Sequence, residues 1–379
     1  MRTLIDCGTL VLHDRIERHR RLLIERGVIR AVAAHLDPPA DAAVIDAREH
    51  IVLPGFIDIH VHGAMGADVM DAAPDALQVM ARFFAAHGVT GFLPTTVTAS
   101  REDIAAALES VRQAMGEPLA PGAARILGAH VEGPFINPRQ SGAQPVEFMR
   151  AAQPDEYRPW LESGTVRLIT VAPEVDGALS LIRDAQRLGV AVAIGHTDAT
   201  YDQAQAAFAA GANQATHTFN AMRGLHHREP GALGAVMSND AVYAQLICDG
   251  IHVHPAAVNV LYRCKGADRL VLITDAVEAT GLGDGAFNLG TQRIFVKQGV
   301  ARLESGALAG ATLTMDAAFR NIIAVTGCSL VEASRMCSAS PARAIGLGDR
   351  KGRIAPGYDA DIVILDAELR VVRTIVGGQ

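Results

Sequence analysis

Two histidines, His60 and His62, stand two residues apart in "GFIDIHVHG", at the end of an apolar stretch and directly before a glycine. On a strand, Asp58, His60 and His62 share one face while Ile57, Ile59 and Val61 share the other. Such a face suits metal ligation by paired imidazoles, and equally a strand wetted on one side. The chain carries further groups of this chemistry: Glu132 in "HVEGPFI", His196 in "IGHTDAT", His217 in "THTFNAM", His252 in "DGIHVHP" and Asp275 in "LITDAVEATG". Neutral imidazoles with a carboxylate are the donor set a divalent transition metal takes, and a further carboxylate beside them can carry a proton.

The elements that must position these groups decide between the two readings. Eight short apolar runs alternate with helical patterns: Gly55 to His62, Gly91 to Thr95, Arg125 to Glu132, Thr165 to Val171, Val190 to His196, Asn213 to His217, Ala241 to Asp249 and Arg269 to Asp275. Between them, "PDALQVMARFFAAHG", "SREDIAAALESVRQAMG" and "YDQAQAAFAAG" open on Pro, Ser or Asp and close on Gly, as helices do. The alternation predicts a (β/α)8 TIM barrel, an α/β fold whose chemistry sits at the C-terminal ends of the strands. A doubly wound sheet would call for a glycine-rich phosphate turn after its first strand, and "HGAMGA" matches that poorly. In a barrel, strands one, three, five, six and eight end on His60 and His62, Glu132, His196, His217 and Asp275, and strand seven leads to His252. Independent structural histidines have no reason to collect at one end of the strands, whereas a metal requires it. By contrast, His13, His19, His35, His50 and His87 fall in terminal segments or at a helix end and are expected at the surface.

The flanks differ from this centre. Residues 1–52 and 345–379 have strand-and-turn character and are expected to pair into a small β-sandwich domain beside a barrel of residues 53–344. The chain has 379 residues, 49% hydrophobic and 20% charged, which is a globular composition. Its net charge of -7 excludes a general nucleic-acid or membrane-surface binder, which would show a basic face. No apolar run has signal-peptide or membrane-spanning length, so a cytoplasmic location is expected. Five scattered cysteines form no CxxC pair and suggest reduced thiols.

The motifs "PGFIDIHVHG", "HVEGPFINP", "GHTDAT", "THTFNAM", "ITDA" and "LAGATLTMD", in this order over nearly the whole chain, resemble the amidohydrolase superfamily and within it the N-acetylglucosamine-6-phosphate deacetylases. The resemblance implies a TIM barrel with a β-sandwich from both termini, and hydrolysis of an acetamide on a small amino-sugar phosphate. It further implies one or two divalent metal ions per subunit, with zinc expected. Many binuclear members bridge their metals with a carbamylated lysine on strand four, but this chain has no lysine before Lys265. Glu132 is therefore the expected anionic ligand, with His196 and His217 completing a three-ligand site that keeps one position open; His60 and His62 are candidates for a second ion. A metal with an open position lowers the pKa of water from about 15.7 toward about 7. Asp275 is expected to take the water's proton and return it to the departing amine.

For the substrate phosphate, the resemblance implies Asn220 with the Ala221 backbone N–H in "FNAM", Arg228 in "HHREPG" and His252; Leu308, heading "LAGATLTMD", is a further expected substrate contact. The Arg228 loop is expected to reach a neighbouring subunit, which makes the protein a homodimer. One departure stands out: Gln144 occupies a position where the family more usually has histidine, a group that polarises the substrate carbonyl. Gln144 can donate a neutral hydrogen bond there but cannot carry charge. Other acyl-amino substrates, such as N-acetylgalactosamine 6-phosphate or an N-acyl amino acid, remain open. A non-catalytic relic is disfavoured, because no ligand and no Asp275 has been lost.

Overall fold

A computed structural model describes residues 2–117 and 120–379. Eight parallel strands follow one another around a barrel in strict chain order: Phe56–Val61, Val89–Thr96, Ala129–Glu132, Val166–Val171, Ala191–Ile194, Gln214–Ala215, Tyr243–Ile247 and Leu270–Ile273. All eight expected runs are present. The ring closes through backbone hydrogen bonds at the functional end, from Asp275 N to His60 O (3.0 Å) and from His62 N to Ala276 O (2.7 Å). Strands one, two, seven and eight are buried along their whole length, as parallel strands covered on both faces must be.

The three expected helices form at Pro74–Ala86, Arg101–Gly116 and Tyr201–Ala210. Each start has a local cause: Pro74 at the first turn, Ser100 accepting from Asp103 N, and Thr200 exchanging hydrogen bonds with Gln203 in a capping box. His87, expected at the surface, is instead half-buried, and its Nδ1 lies 2.9 Å from Asp316. His13 and His50 are also half-buried, while His19 and His35 are exposed.

Both termini contribute to one mixed six-stranded sheet, in the order Val371–Ile375, Ile362–Leu365, Ala42–Pro54, Arg2–Val11, Ile16–Glu25, Val28–Ala33. Leu53, Val363 and Leu365 join the barrel core, while Ile5, Leu10, Leu22, Val52, Ile362 and Ile364 form a separate apolar cluster. This alternation places one face against the barrel and gives the sheet a core of its own. A third, three-stranded antiparallel sheet (Gly285–Leu289, Gln292–Lys297, Val300–Leu303) follows barrel strand eight and was not anticipated. Its second hairpin turns at Gln298 and Gly299, both at positive φ, the conformation a two-residue turn of this kind demands. Among the described residues, no helix is long and apolar enough to cross a membrane.

Candidate metal centre and active site

The side chains at the strand ends converge. Glu132, His196 and His217 form one group and His60, His62 and Asp275 another, all buried, with the ligand atoms of each group within 4.8 Å of one another. Glu132 lies between them. Its Oε1 is 3.3 Å from His196 Nε2 and 3.1 Å from His217 Nε2, and its Oε2 is 3.3 Å from His62 Nε2. Asp275 Oδ1 faces His60 Nε2 at 3.4 Å and His62 Nε2 at 3.2 Å.

The outward ring nitrogens indicate what the inward ones can do. His196 Nδ1 donates to the Gln140 carbonyl (2.8 Å) and His62 Nδ1 to the Thr95 carbonyl (3.1 Å), since a carbonyl only accepts. His60 Nδ1 meets Gln245 Oε1 at 3.4 Å, and that amide is oriented by its own donation to Gln214 Oε1. With Nδ1 protonated, each Nε2 is left to carry a lone pair or a second proton. Yet Nε2 of His60 faces Nε2 of His62 at 3.2 Å, and Nε2 of His196 faces Nε2 of His217 at 3.1 Å. Without a metal each couple needs one ring to hold a second proton and donate it to the other's lone pair, whereas a divalent cation satisfies both nitrogens of a couple with neutral rings. The donor set therefore fits a metal, with outer partners that fix the imidazoles as metal sites require.

Charge in this cluster is strongly coupled. Burial resists ionisation of Glu132, but positive charge on His60 and hydrogen bonding with His196 and His217 outweigh it and hold the carboxyl well below its usual range. Burial likewise disfavours a charged His62, yet Asp275 and Glu132 lift it to about 10 in the metal-free protein. A metal must displace that proton. Beneath the cluster, burial pushes the Asp58 carboxyl up to about 7 against hydrogen bonds from Thr274 and the His60 N–H. Its Oδ2 accepts from Thr274 Oγ1 at 2.6 Å, which ties strand one to strand eight inside the barrel.

The backbone is strained at this end. His196, His217 and Asp275 have φ of +46°, +24° and +55°, a region that costs a non-glycine residue about 1–3 kcal/mol. Gly310 shows why "LAGAT" closes on Asp275: a Cβ there would lie 2.3 Å from Val277 Cγ1 and 2.8 Å from the Asp275 carbonyl. Ala311 N can thus reach that carbonyl at 2.8 Å.

A cleft of about 200 Å³ opens over the cluster. Besides His62, Glu132, His196, His217 and Asp275, its lining includes the expected substrate residues Asn220, Ala221, His252, Gln144 and Leu308. His60 lies deeper and does not line it. Arg228 is also not brought to the cleft: it is exposed on its loop, with Nη1 2.7 Å from His227 Nε2. His252 is held by Asp249, whose Oδ2 is 2.7 Å from its Nδ1. Gln144 donates from Nε2 to Glu132 Oε2 (2.7 Å) and accepts from Thr98 N (2.7 Å), so one of its two amide hydrogens serves the carboxylate. Sequence reasoning missed this bond, the outward partners Gln140, Thr95 and Gln245, and the lining residue Leu289 from the inserted sheet. The polar Gln214 and Gln245 within otherwise apolar strands were the available signal.

Residues 51–379 match the amidohydrolase family. The chain is 41% identical to the N-acetylgalactosamine-6-phosphate deacetylase of Escherichia coli O157:H7, over 96% of this chain and 98% of that protein. It is also 41% identical to the N-acetylglucosamine-6-phosphate deacetylase of Vibrio furnissii, over 94% of this chain and 88% of that one. A solved mutant of the Mycobacterium smegmatis N-acetyl-D-glucosamine-6-phosphate deacetylase, in complex with N-acetyl-D-glucosamine-6-phosphate, superposes with a TM-score of 0.92 at 37% identity, covering 100% of this chain and 98% of that one.

Proposed function

This chain belongs to the amidohydrolase family, and from that membership we propose that it hydrolyses the N-acetyl group of N-acetylglucosamine 6-phosphate, giving glucosamine 6-phosphate and acetate. The observation that carries the reading is the pair of inward-facing imidazole couples, bridged by Glu132 and joined by Asp275, at the floor of one cleft. Glu132, His196 and His217 would hold the principal divalent ion, with zinc favoured by nitrogen and carboxylate donors. His60 and His62, beside Asp275, would hold a second. When bound, the metal supplies Lewis acidity toward the acetamide carbonyl and water.

The remaining steps belong to the protein. Asp275 takes a proton from the attacking water and returns it to the amine nitrogen as the C–N bond breaks. Gln144 holds Glu132 with one amide hydrogen and offers the second to the acetamide oxygen. Asn220, the Ala221 N–H and His252 receive the phosphate end, and Leu308 packs against the sugar. Arg228, exposed on its loop, reaches the phosphate in a neighbouring subunit's cleft, so the working form is a homodimer. Residues 1–52 with 345–379 form the small β unit and 53–344 the catalytic barrel, in a cytoplasmic enzyme.

The phosphate assignment is tested by Arg228→Ala. A hydrogen bond to a charged group contributes about 1.5–3 kcal/mol, so KM for the phosphorylated sugar is expected to rise by about ten- to a hundredfold with little change in kcat. Equal effects on N-acetylglucosamine with and without the phosphate would count against it. The galacto epimer is the second reading, because one relative of equal identity is named for that sugar. Acetate release from both epimers separates the two, with the higher kcat/KM expected for the gluco form.

A further inference from the structure

The loops after barrel strands three, four and five meet on one carboxylate outside the metal cluster, that of Glu174 in "VAPEVDG". Its Oε1 accepts from Asn137 Nδ2 (2.8 Å) and Asp198 N (2.6 Å), and its Oε2 accepts from Thr197 Oγ1 (2.5 Å). Both routes lead to His196. Thr197 and Asp198 directly follow it in the chain, where the backbone has been driven to positive φ at His196. Asn137 reaches it from the other side: its N–H donates to the His196 carbonyl (2.9 Å), and its own carbonyl accepts from Gln140 N (2.9 Å). Gln140 is the residue whose carbonyl takes the His196 Nδ1–H.

We propose that Glu174 is the positioning residue for His196, clamping both the strained turn that presents the imidazole and the loop that fixes which ring nitrogen faces the metal. The residue type follows from the donors. Three hydrogens arrive at two oxygens, and a carboxylate accepts all of them without offering a competing hydrogen. Glutamine could keep Asn137 and Asp198 on its oxygen and donate its NH2 to the Thr197 hydroxyl, which also accepts, whereas alanine leaves all three donors without a partner and opens both arms of the clamp. The hydrogen bonds of Glu174 go to Asn137, Thr197 and Asp198 and to none of the six metal-facing side chains, so its effect passes through His196.

The inference rests on Glu132, His196 and His217 being the principal metal site. It is tested by zinc competition with a chromophoric chelator on the wild type, Glu174→Ala and Asn137→Ser, together with long-range proton–nitrogen NMR of the histidine rings in the metal-free proteins. The wild type should bind zinc with the His196 proton on Nδ1. Glu174→Ala is expected to weaken zinc binding by about ten- to a hundredfold, the usual effect of losing an outer partner of a metal ligand. The His196 resonances should shift while those of His62 stay in place. Asn137→Ser, which loses the Nδ2 donor to Glu174 but keeps a side-chain oxygen to cap Pro138–Gln140 as Asn137 Oδ1 does for Arg139 N, should act in the same direction and decides the matter should the Glu174 variant not fold. Zinc affinity within twofold of wild type in the folded variants would overturn the proposal. A wild type that takes up no zinc would instead overturn the metal site on which it depends.

Discussion

Asp275→Asn is expected to lower kcat by at least about a hundredfold, the lower range for losing a general acid or base, while zinc and substrate still bind. The side chain keeps its size and can still face His60 and His62, but it cannot take a proton. The sign of the pH dependence follows from its surroundings. Burial resists its charge, but positive charge on His60 and hydrogen bonding to His62 outweigh burial and hold the carboxyl below the usual carboxylate range. A base with a depressed pKa is active above that pKa and fails only as pH falls through it. Asp275 therefore places its own limit below about pH 4. Any loss of activity between about pH 5 and 7 then arises from protons competing with metal at the imidazoles, and raising zinc should move that limb to lower pH. Near-normal turnover by a zinc-loaded Asn variant would show that the proton passes through another group.

His196→Ala is expected to remove most zinc from the principal site and nearly all activity with it. The remaining pair, Glu132 and His217, supplies two ligands where a catalytic zinc site uses three from the protein. The loss should exceed the ten- to hundredfold typical of an outer partner, which places Glu174→Ala between this variant and the wild type. Metal analysis by plasma mass spectrometry after dialysis reads the result directly. Full zinc content in the alanine variant would show that His196 is not a ligand.

Much of this was legible in the sequence because a TIM barrel writes its plan plainly. Each strand reads as a short, largely apolar run, and several of the runs break at a polar residue where the strand meets the cleft, as Ile194 gives way to His196 and Ile273 to Asp275. The six-stranded terminal sheet was less distinct, since a strand such as Ile16–Glu25 is only partly buried and the strand order joins both chain ends. The inserted sheet at 285–303 left a turn signal in "KQGV", but its mostly exposed first strand carries little apolar pattern. Contacts through main-chain carbonyls could not be read at all: the acceptors for His196 and His62 are backbone atoms of Gln140 and Thr95, which any residue type would supply. Glu174 was hidden for a related reason, because its three donors come from loops far apart in the chain. Gln144 was noticed as a substitution, yet its hydrogen bond to Glu132 depends on a loop path that spacing does not reveal.

The central claim is metal-dependent deacetylation of N-acetylglucosamine 6-phosphate, and acetate release from that sugar by the purified protein tests it most directly. The protein would be assayed as isolated, after chelation and dialysis, and after zinc is restored. The account predicts acetate and glucosamine 6-phosphate in equal amounts, loss of both on chelation, and recovery with zinc. No acetate from the zinc-loaded protein, or undiminished release from protein shown to be metal-free, would contradict it.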